Sequence, residues 1–402
     1  MARKKRTDRQ GRVLRVGESQ RSDGHYVYRY TDNGIRKAIY GRDLIELRDR
    51  EKEIIKNDIY NVDYSLITLN KLYEEYMANV KEKSIEKTTA EVYRNTWATH
   101  VYNSIGKRKI KDIKKSEIVK YYSNLQREKG LKKRTIERVH VLLKMTFDYA
   151  LDSAIIINNP CVNALSYIKA ENKQGKRIIS EHEQTIIAEY LESNPKYNYK
   201  VVSNIFILGC NTGLRISEIL ALTWNDIDFD NEIINVNKSL KSSKDFLTIG
   251  KPKTENSKRQ VPMLSEVRKA LRKQQLLQFE KGNNDFELDG FSDFVFLNRK
   301  GKIFKPCNIN GYFNYARYYY NDRERELAEK ENREPEYLEH FTTHCMRHSF
   351  CTRLVKENVN IKSVQSLMGH ANITTTLNIY THDSLEQNRE EIKKLETERV
   401  AL

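Results

Sequence analysis

The sequence predicts a multidomain protein that is mainly α-helical and carries small β-sheets. The chain has 402 residues, which is enough for two or three domains with their own cores. Apolar residues recur with helical spacing over most of the chain after residue 67, whereas the N-terminal region alternates like short strands. Polar segments at 59–67 and 166–177 interrupt these patterns and have the character of linkers. We therefore expect domains at 1–60, 68–168 and 176–402.

Charge and composition favour a polyanionic partner. The net charge is +16, and half of it lies in residues 1–42, which hold twelve basic and four acidic side chains. Ribosomal and membrane-surface proteins share this trait, so charge alone does not select nucleic acid. No apolar run of about 18 residues is present, and the start lacks a signal-peptide pattern, so a soluble cytoplasmic protein without membrane contact is expected. The five cysteines form no C-x-x-C pair, which argues against a zinc site or a disulfide framework.

The N-terminal domain is predicted to be a basic three-stranded sheet covered by one helix. Turn signals Ser22-Asp23-Gly24 and Asp32-Asn33-Gly34 separate the alternating segments. The predicted strands are 12–16, 25–30 and 35–40, and the helix is 43–58. Such a sheet, with Tyr and Arg interleaved, can enter a DNA major groove. The candidate DNA contacts are Arg29, Arg36 and Lys37, although a merely stabilising subdomain with solvated charges would show the same pattern.

The second domain is predicted to be entirely helical. The periodic segments are 68–81, 86–101, 115–128 and 132–153, and Asn158-Asn159-Pro160 ends the last of them. Residues 107–138 hold thirteen basic and four acidic side chains, so this module also has a basic side. Lys132, Lys133 and Arg134 are its candidate DNA contacts.

The third domain holds the residues that point to chemistry. His344 and Arg347 stand three apart on a predicted helix, and Gly369-His370 and Tyr380 follow. An imidazole, a guanidinium and a phenol without a carboxylate cluster suit a phosphodiester. Ionising a tyrosine at pH 7 costs about 4 kcal/mol. One cation at ~4 Å with an effective dielectric near 20 offsets about that much, and arginine binds phosphate oxygens bidentately.

A second arginine is expected at the junction after an apolar helix. That helix runs into Asn211-Thr212-Gly213, where glycine can end it in the left-handed conformation. Arg215 follows at a place that can hold a side chain rigidly. Glu218 either orients Arg215 or its helix, or is an ordinary solvated glutamate. Further strands are predicted at 232–236, 246–250 and 259–263, and further helices from 180, at 265–281 and at 308–333.

Four segments in this order resemble the tyrosine recombinase (phage integrase) family, and within it the integrases of conjugative transposons. They are TGLRISEILAL at 212–222, HCMRHSF at 344–350, MGH at 368–370 and NIYTH at 378–382. The resemblance implies a mixed α+β catalytic domain, preceded by a helical core-binding domain and an N-terminal arm-binding domain.

The resemblance also implies roles for the candidate residues. Tyr380 would be the nucleophile that forms a 3′-phosphotyrosine link and releases a 5′-hydroxyl. Arg215 and Arg347 would clamp the scissile phosphate. His344 would assist proton transfer, and His370 would hydrogen-bond the phosphate.

The family further uses a hairpin lysine to protonate the leaving hydroxyl. Lys253 matches that position best, with Lys251 and Lys258 as rivals. No metal or other cofactor is expected.

The implied function is integration and excision of a mobile element, most simply a conjugative transposon, by a homotetramer on paired core-type and arm-type sites in double-stranded DNA. A directionality factor and a DNA-bending protein would be accessory partners, in a bacterial cytoplasm at the nucleoid. The alternatives are a prophage integrase, a type IB topoisomerase-like enzyme and a non-catalytic DNA-binding regulator.

Overall fold

The computed structural model describes residues 6–32, 35–59, 66–169, 177–243, 246–250, 258–282, 285–370 and 372–380. The chain divides into two compact units, Met1–Asn172 and Lys173–Leu402. Its described residues are mainly helical with small antiparallel sheets, so the predicted fold class is confirmed. No helix within the described ranges is both long and apolar enough to cross a bilayer.

The first unit begins with a small sheet packed on a helix. The strands β1 (Glu18–Gln20), β2 (Tyr26–Asp32) and β3 (Ile35–Gly41) are antiparallel, and α1 (Leu44–Ile59) follows. Leu44 and Leu47 of α1 pack on Tyr26. The buried carboxylate of Glu18 accepts a 2.9 Å hydrogen bond from Arg48 Nε, which ties β1 to α1.

The predicted first strand at 12–16 is wrong, because the strand begins at Glu18. Within 12–16 only Val13 forms a bridge, to Thr7. The carboxylate of Asp8 instead organises a turn, accepting the backbone N–H of Arg12 at 2.8 Å and its guanidinium at 2.8 Å. A buried local acceptor thus competes with strand pairing in a segment whose alternation looks strand-like.

Strand register separates the three candidate DNA contacts of this sheet. Arg29 pairs with Ala38, and Arg36 lies across from Thr31, so both arginines lie on the face opposite α1. Lys37 lies across from Tyr30, on the face that carries Tyr28 against α1. All three side chains are exposed.

The helical part of the first unit has its own core. Its helices are α2 (Leu69–Tyr76), α3 (Lys87–Thr96), α4 (Lys115–Arg127) and α5 (Lys133–Asp152). Single π-helical turns, Met77–Lys81 and Trp97–Val101, extend α2 and α3 to the lengths that periodicity predicts. Both predicted linkers overlap this core at one end, because Ile67 and Ile168 are buried in it.

The three candidate contacts at the start of α5 differ in environment. Lys132 and Arg134 are exposed. The ammonium of Lys133 donates a 3.2 Å hydrogen bond to the carbonyl of Ile168, so it has a partner inside the unit.

The second unit is built around one buried helix. Its strands form a sheet of order β4-β5-β8 and a hairpin β6-β7. The strands are β4 (Ile227–Asp228), β5 (Ile233–Val236), β6 (Ser239–Ser242), β7 (Leu247–Gly250) and β8 (Arg259–Pro262). The helices are α6 (Glu181–Ser193), α7 (Tyr197–Thr212), α8 (Ile216–Ile219), α9 (Ser265–Lys281), α10 (Pro306–Glu331), α11 (Thr343–Lys356), α12 (Ile361–Met368) and α13 (Ile373–Tyr380). Apolar on nearly every side, α7 packs against α6, α9 and α11.

Candidate active site

Arg215 sits where α7 gives way to α8. Gly213 ends α7 with φ +64°, in the left-handed conformation that the sequence predicts. A Cβ there would lie 2.5 Å from Cδ1 of Phe350, so the close approach of α11 also requires glycine. Arg215 then caps α8, and its side chain is 40% exposed.

Glu218 is buried beneath Arg215 and is not the solvated glutamate of the alternative interpretation. It is 4% exposed. Its carboxylate accepts hydrogen bonds from the backbone N–H and from Nη1 of Arg215, both at 2.8 Å. Burial alone would raise the pKa of Glu218, but the hydrogen bonds and charges of Arg259 and Arg215 outweigh it and leave that pKa below its usual value.

Arg259, on β8, is a site residue that the sequence did not single out. Its side chain is 4% exposed, and its Nη2 lies 2.9 Å from Oε2 of Glu218. The only signal was positional. Arg259 stands two residues before Val261 in a predicted strand, so the two side chains lie on the same face, and Val261 is buried. An arginine at an inward strand position needs a buried partner.

Arg347, on α11, is buried and held by backbone carbonyls. It is 4% exposed, its Nη1 donates to the Gly213 carbonyl at 2.6 Å, and its Nη2 donates to the Met368 carbonyl. Desolvation, followed by repulsion from Arg215, lowers the pKa of Arg347 to about 9. An anion bound beside it would favour its charged form.

The carboxyl end of α12 brings the three arginines together. Arg259 Nε donates to the Leu367 carbonyl at 2.7 Å, and Arg215 Nη2 donates to the Gly369 carbonyl at 3.3 Å. With the bond from Arg347 to Met368, three consecutive carbonyls each accept from a different guanidinium. A helix C-terminus suits this task, because its last carbonyls lack partners within the helix and carry partial negative charge.

His370 follows this helix end directly. Its Nδ1 lies 3.0 Å from the hydroxyl oxygen of Thr376 on α13, a residue that sequence reasoning missed and for which no sequence signal was available. Tyr380 is the last residue of α13, and its side chain lies outside the part that the structure describes.

The remaining candidates are His344 and the three hairpin lysines. His344 is exposed in the first turn of α11. Lys253 and Lys251 lie outside the described residues, and Lys258 immediately precedes β8. Among the side chains that the structure describes, no group of three or more His, Cys, Asp or Glu could hold a metal ion.

The cluster has an excess of positive charge. The arginine cluster consists of Arg215, Arg259 and Arg347, and among the described residues the carboxylate in contact with it is that of Glu218. The four side chains together carry a net positive charge, at a place where low polarity strengthens electrostatic attraction. This arrangement can bind an anion with two negatively charged or partly charged oxygens.

Comparison with known proteins identifies the family. The model of the phage integrase family matches residues 176–387, just over half of the chain. The model described as the DNA binding domain of Tn916 integrase matches residues 2–58, and that of the phage integrase central domain matches 69–165.

Similar proteins cover nearly the whole chain. The transposase from transposon Tn916 of Enterococcus faecalis is 32% identical over 98% of both chains. A tyrosine recombinase XerC-like protein of Caldanaerobacter subterraneus is 29% identical over 93% of this chain and 96% of its own. The structure of the Tn1549 transposon integrase in complex with transposon right end DNA is 28% identical, with a TM-score of 0.70 over 82% of this chain and 99% of that one. The chain belongs to the phage integrase family, whose members are tyrosine recombinases.

Proposed function

We propose that Arg215 and Arg347 of the arginine cluster bind the scissile phosphate of a DNA strand and that Tyr380 is the nucleophile. By family the chain is a tyrosine site-specific recombinase, which breaks and rejoins DNA strands. One observation supports the residue assignment most strongly. Arg215 and Arg347 are held on neighbouring carbonyls, those of Gly369 and Met368, directly before His370 and the helix that ends in Tyr380.

The proposed reaction exchanges one phosphodiester for another. The hydroxyl oxygen of Tyr380 attacks the scissile phosphorus and gives up its proton, and the bond from phosphorus to the 5′ oxygen breaks. The 5′ oxygen takes up a proton as it leaves, so the products are a 3′-phosphotyrosine and a 5′-hydroxyl. Attack by the 5′-hydroxyl of another strand reverses these steps. Because the number and kind of bonds are conserved, rejoining needs no external energy source.

The cluster supplies electrostatic stabilisation in this scheme. Charge builds on the non-bridging oxygens as the fifth bond to phosphorus forms, and fixed guanidinium groups stabilise it without reorganising. Arg347 is buried, and the acceptors that the described residues offer it are two backbone carbonyls, so its charge is available to the phosphate. In the proposal His370 also hydrogen-bonds the phosphate, and His344 assists proton transfer. A hairpin lysine, Lys253 in preference to Lys251 or Lys258, protonates the 5′ oxygen.

We further propose three functional domains, at 1–60, 68–168 and 176–402. The ranges of the three family models support this division. In it the first domain binds arm-type sites through Arg29, Arg36 and Lys37. The second binds core-type sites through Lys132, Lys133 and Arg134. Exchange between two duplexes cuts four strands, so one nucleophile per chain implies a homotetramer on paired sites.

The biological context we propose is integration and excision of a conjugative transposon in the bacterial cytoplasm, at the nucleoid. The Tn916 transposase and the Tn1549 integrase are both transposon proteins, which favours this context over a prophage. A directionality factor and a DNA-bending protein are the accessory partners in this proposal. A type IB topoisomerase-like activity would relax supercoils without joining two duplexes, which separates it from recombination by assay.

The central test is trapping on a nicked suicide DNA site. Wild-type protein should accumulate a covalent adduct through a 3′-phosphotyrosine, and Tyr380→Phe should form none while binding the same DNA. Adduct formation by Tyr380→Phe would overturn the assignment of the nucleophile. Absence of any adduct with wild-type protein, at DNA concentrations where binding is complete, would favour the non-catalytic regulator.

A further inference from the structure

The buried ion pair between Arg259 and Glu218 has no place in the mechanism above. Both side chains are almost fully buried, and Nη2 of Arg259 lies 2.9 Å from Oε2 of Glu218. The second guanidinium nitrogen, Nη1, lies 3.3 Å from Oε1, so the contact is bidentate. The Nε of Arg259 is engaged as well, by the carbonyl of Leu367 at 2.7 Å.

We propose that Arg259 is a positioning residue that sets the guanidinium of Arg215 through their shared partner Glu218. This inference rests on the proposed function, in which Arg215 binds the scissile phosphate. Oε1 of Glu218 accepts from Arg215 Nη1 at 2.8 Å, while Arg259 holds the same carboxylate from the other side. The carboxylate is thereby held by the guanidinium fork of Arg259 on one hand and by Nη1 and the backbone N–H of Arg215 on the other. A fixed carboxylate fixes the arginine that caps α8.

Arg259 itself is not assigned to the phosphate. Its side chain is 4% exposed, whereas that of Arg215 is 40% exposed. Its positive charge is matched at close range by Glu218, whereas the hydrogen bonds of Arg347 within the described part of the chain go to carbonyls. A cation neutralised in this way contributes orientation more than charge.

Arg259 also acts on the other side of the site. Its bond to Leu367 holds the end of α12, where Met368 and Gly369 accept from Arg347 and Arg215. The arginine from β8 therefore anchors both supports of Arg215, the carboxylate below it and the helix end beside it. A small displacement of either would move a group that must meet the phosphate within a fraction of an ångström.

The test measures the single-turnover cleavage rate on the nicked suicide site at saturating protein. Arg259→Met should lower the rate constant by about 10- to 100-fold, the range expected for a misplaced catalytic group. DNA affinity should stay within about threefold. Arg259→Lys keeps the charge but not the fork, and its rate should fall between those of Arg259→Met and the wild type.

Coupling to Arg215 is the decisive readout. In an Arg215→Lys background, Arg259→Met should change the rate by less than about threefold, because both changes disturb one unit. If Arg259→Met lowered the rate constant in the Arg215→Lys background by as much as in the wild type, Arg259 would act independently of Arg215, and the proposal would be overturned. An unchanged rate constant of Arg259→Met with a smaller fraction of reactive protein would also overturn the proposal, because a purely structural role of Arg259 gives that result.

Two controls separate the possible failures. Arg333→Met breaks another fork on a buried carboxylate, that of Glu324, with Nη2 3.1 Å from Oε2, and should leave the rate constant unchanged. If circular dichroism shows that Arg259→Met does not fold, Arg259→Lys replaces it in both backgrounds. A rate loss that disappears in the Arg215→Lys background then supports the proposal, and a loss that persists there overturns it.

Wild-type protein and Tyr380→Phe report on the proposed function alone. A wild type without adduct overturns that function and this inference with it, whereas a reactive wild type with an unaffected Arg259→Met overturns only the inference.

Discussion

Nδ1 of His370 lies 3.0 Å from the hydroxyl oxygen of Thr376, and Thr376 is fully buried. The contact joins the residue that follows the arginine-bound end of α12 to the helix that ends in Tyr380. A hydrogen bond at one ring nitrogen selects the tautomer and the plane of an imidazole. The orientation of His370 is thus linked to the helix that carries the proposed nucleophile.

Replacement of Thr376 tests this link. Thr376→Val keeps the shape but removes the hydroxyl, so Nδ1 of His370 loses this hydrogen bond, and the single-turnover cleavage rate should fall by about tenfold. Thr376→Ser retains the hydroxyl and should stay within about threefold of wild type. DNA affinity should change in neither variant. A larger loss in Thr376→Ser than in Thr376→Val would instead indicate a packing effect of the methyl group, which valine retains and serine lacks.

Gly213 is expected to tolerate no side chain. Gly213→Ala combines a left-handed backbone with a Cβ placed 2.5 Å from Phe350 and 2.8 Å from Met368, and its carbonyl holds Arg347. We expect a loss of about 2–4 kcal/mol in unfolding free energy, and a lower cleavage rate. Gly301→Ala is the matched control in the same unit, since Gly301 has φ +68° with open space around it, and about 1 kcal/mol is expected there. Thermal unfolding measures the stability of both variants. Equal losses of unfolding free energy in Gly213→Ala and Gly301→Ala would contradict the steric argument.

The two faces of the N-terminal sheet should differ in DNA binding. If the face opposite α1 contacts DNA, Arg29→Ala and Arg36→Ala should each weaken binding to arm-type sites. Each should reduce the slope of log affinity against log salt by about 0.9. Lys37→Ala removes a charge from the other face and should have the smaller effect. Titrations at several salt concentrations measure both quantities. A larger effect for Lys37→Ala would place the DNA contact on the face that carries α1 and would contradict the prediction.

Acid should destabilise the helical core of the first unit. His140 Nδ1 lies 2.9 Å from the Tyr122 hydroxyl, and burial, followed by the charge of Lys144, lowers the pKa of His140. The unfolded chain therefore takes up this proton first as the pH falls below about 6.5. Stability is full above that pH and decreases below it until the folded-state pKa is reached, by at most about 1.4 kcal/mol per pH unit for this group.

The measurement is urea unfolding of the full chain between pH 5 and pH 8. With Trp224→Phe, Trp97 of this core remains as the only tryptophan and reports its unfolding. His140→Asn keeps an amide near the Tyr122 hydroxyl without titrating, so its pH dependence should be shallower. His100, whose pKa burial also lowers, contributes in the same direction. An unchanged slope in His140→Asn would exclude His140 as the cause.

Local signals in the sequence were sufficient wherever neighbours along the chain decide the structure. The capping box of Ser180 and Glu183 begins α6 as predicted, and the left-handed Gly213 ends α7. The strand β4, with two residues, is too short to show a period and was missed, as was β6. The first strand failed because the local turn at Asp8 competes with pairing.

The contacts that build the site join distant parts of the sequence. Arg347 meets Gly213 across 134 positions, and Arg215 meets Gly369 across 154. No spacing rule predicts such pairs. The strand position of Arg259 indicates that its side chain is buried, but the sequence does not indicate which residue it contacts.

The helix end that receives the three guanidinium groups offers only main-chain oxygens. No exchange of side chains at Leu367 or Met368 can delete such an oxygen, so these hydrogen bonds depend on the shape of the turn and not on which side chains it carries. Met368 is constrained separately, by its burial in an apolar core. The hydrogen bonds are most sensitive to changes that bend the turn itself, above all proline within α12 or a branched residue at Gly369, where φ is +59°. Side chains around such a reaction centre can therefore change in evolution while the backbone keeps the three arginines in the same geometry.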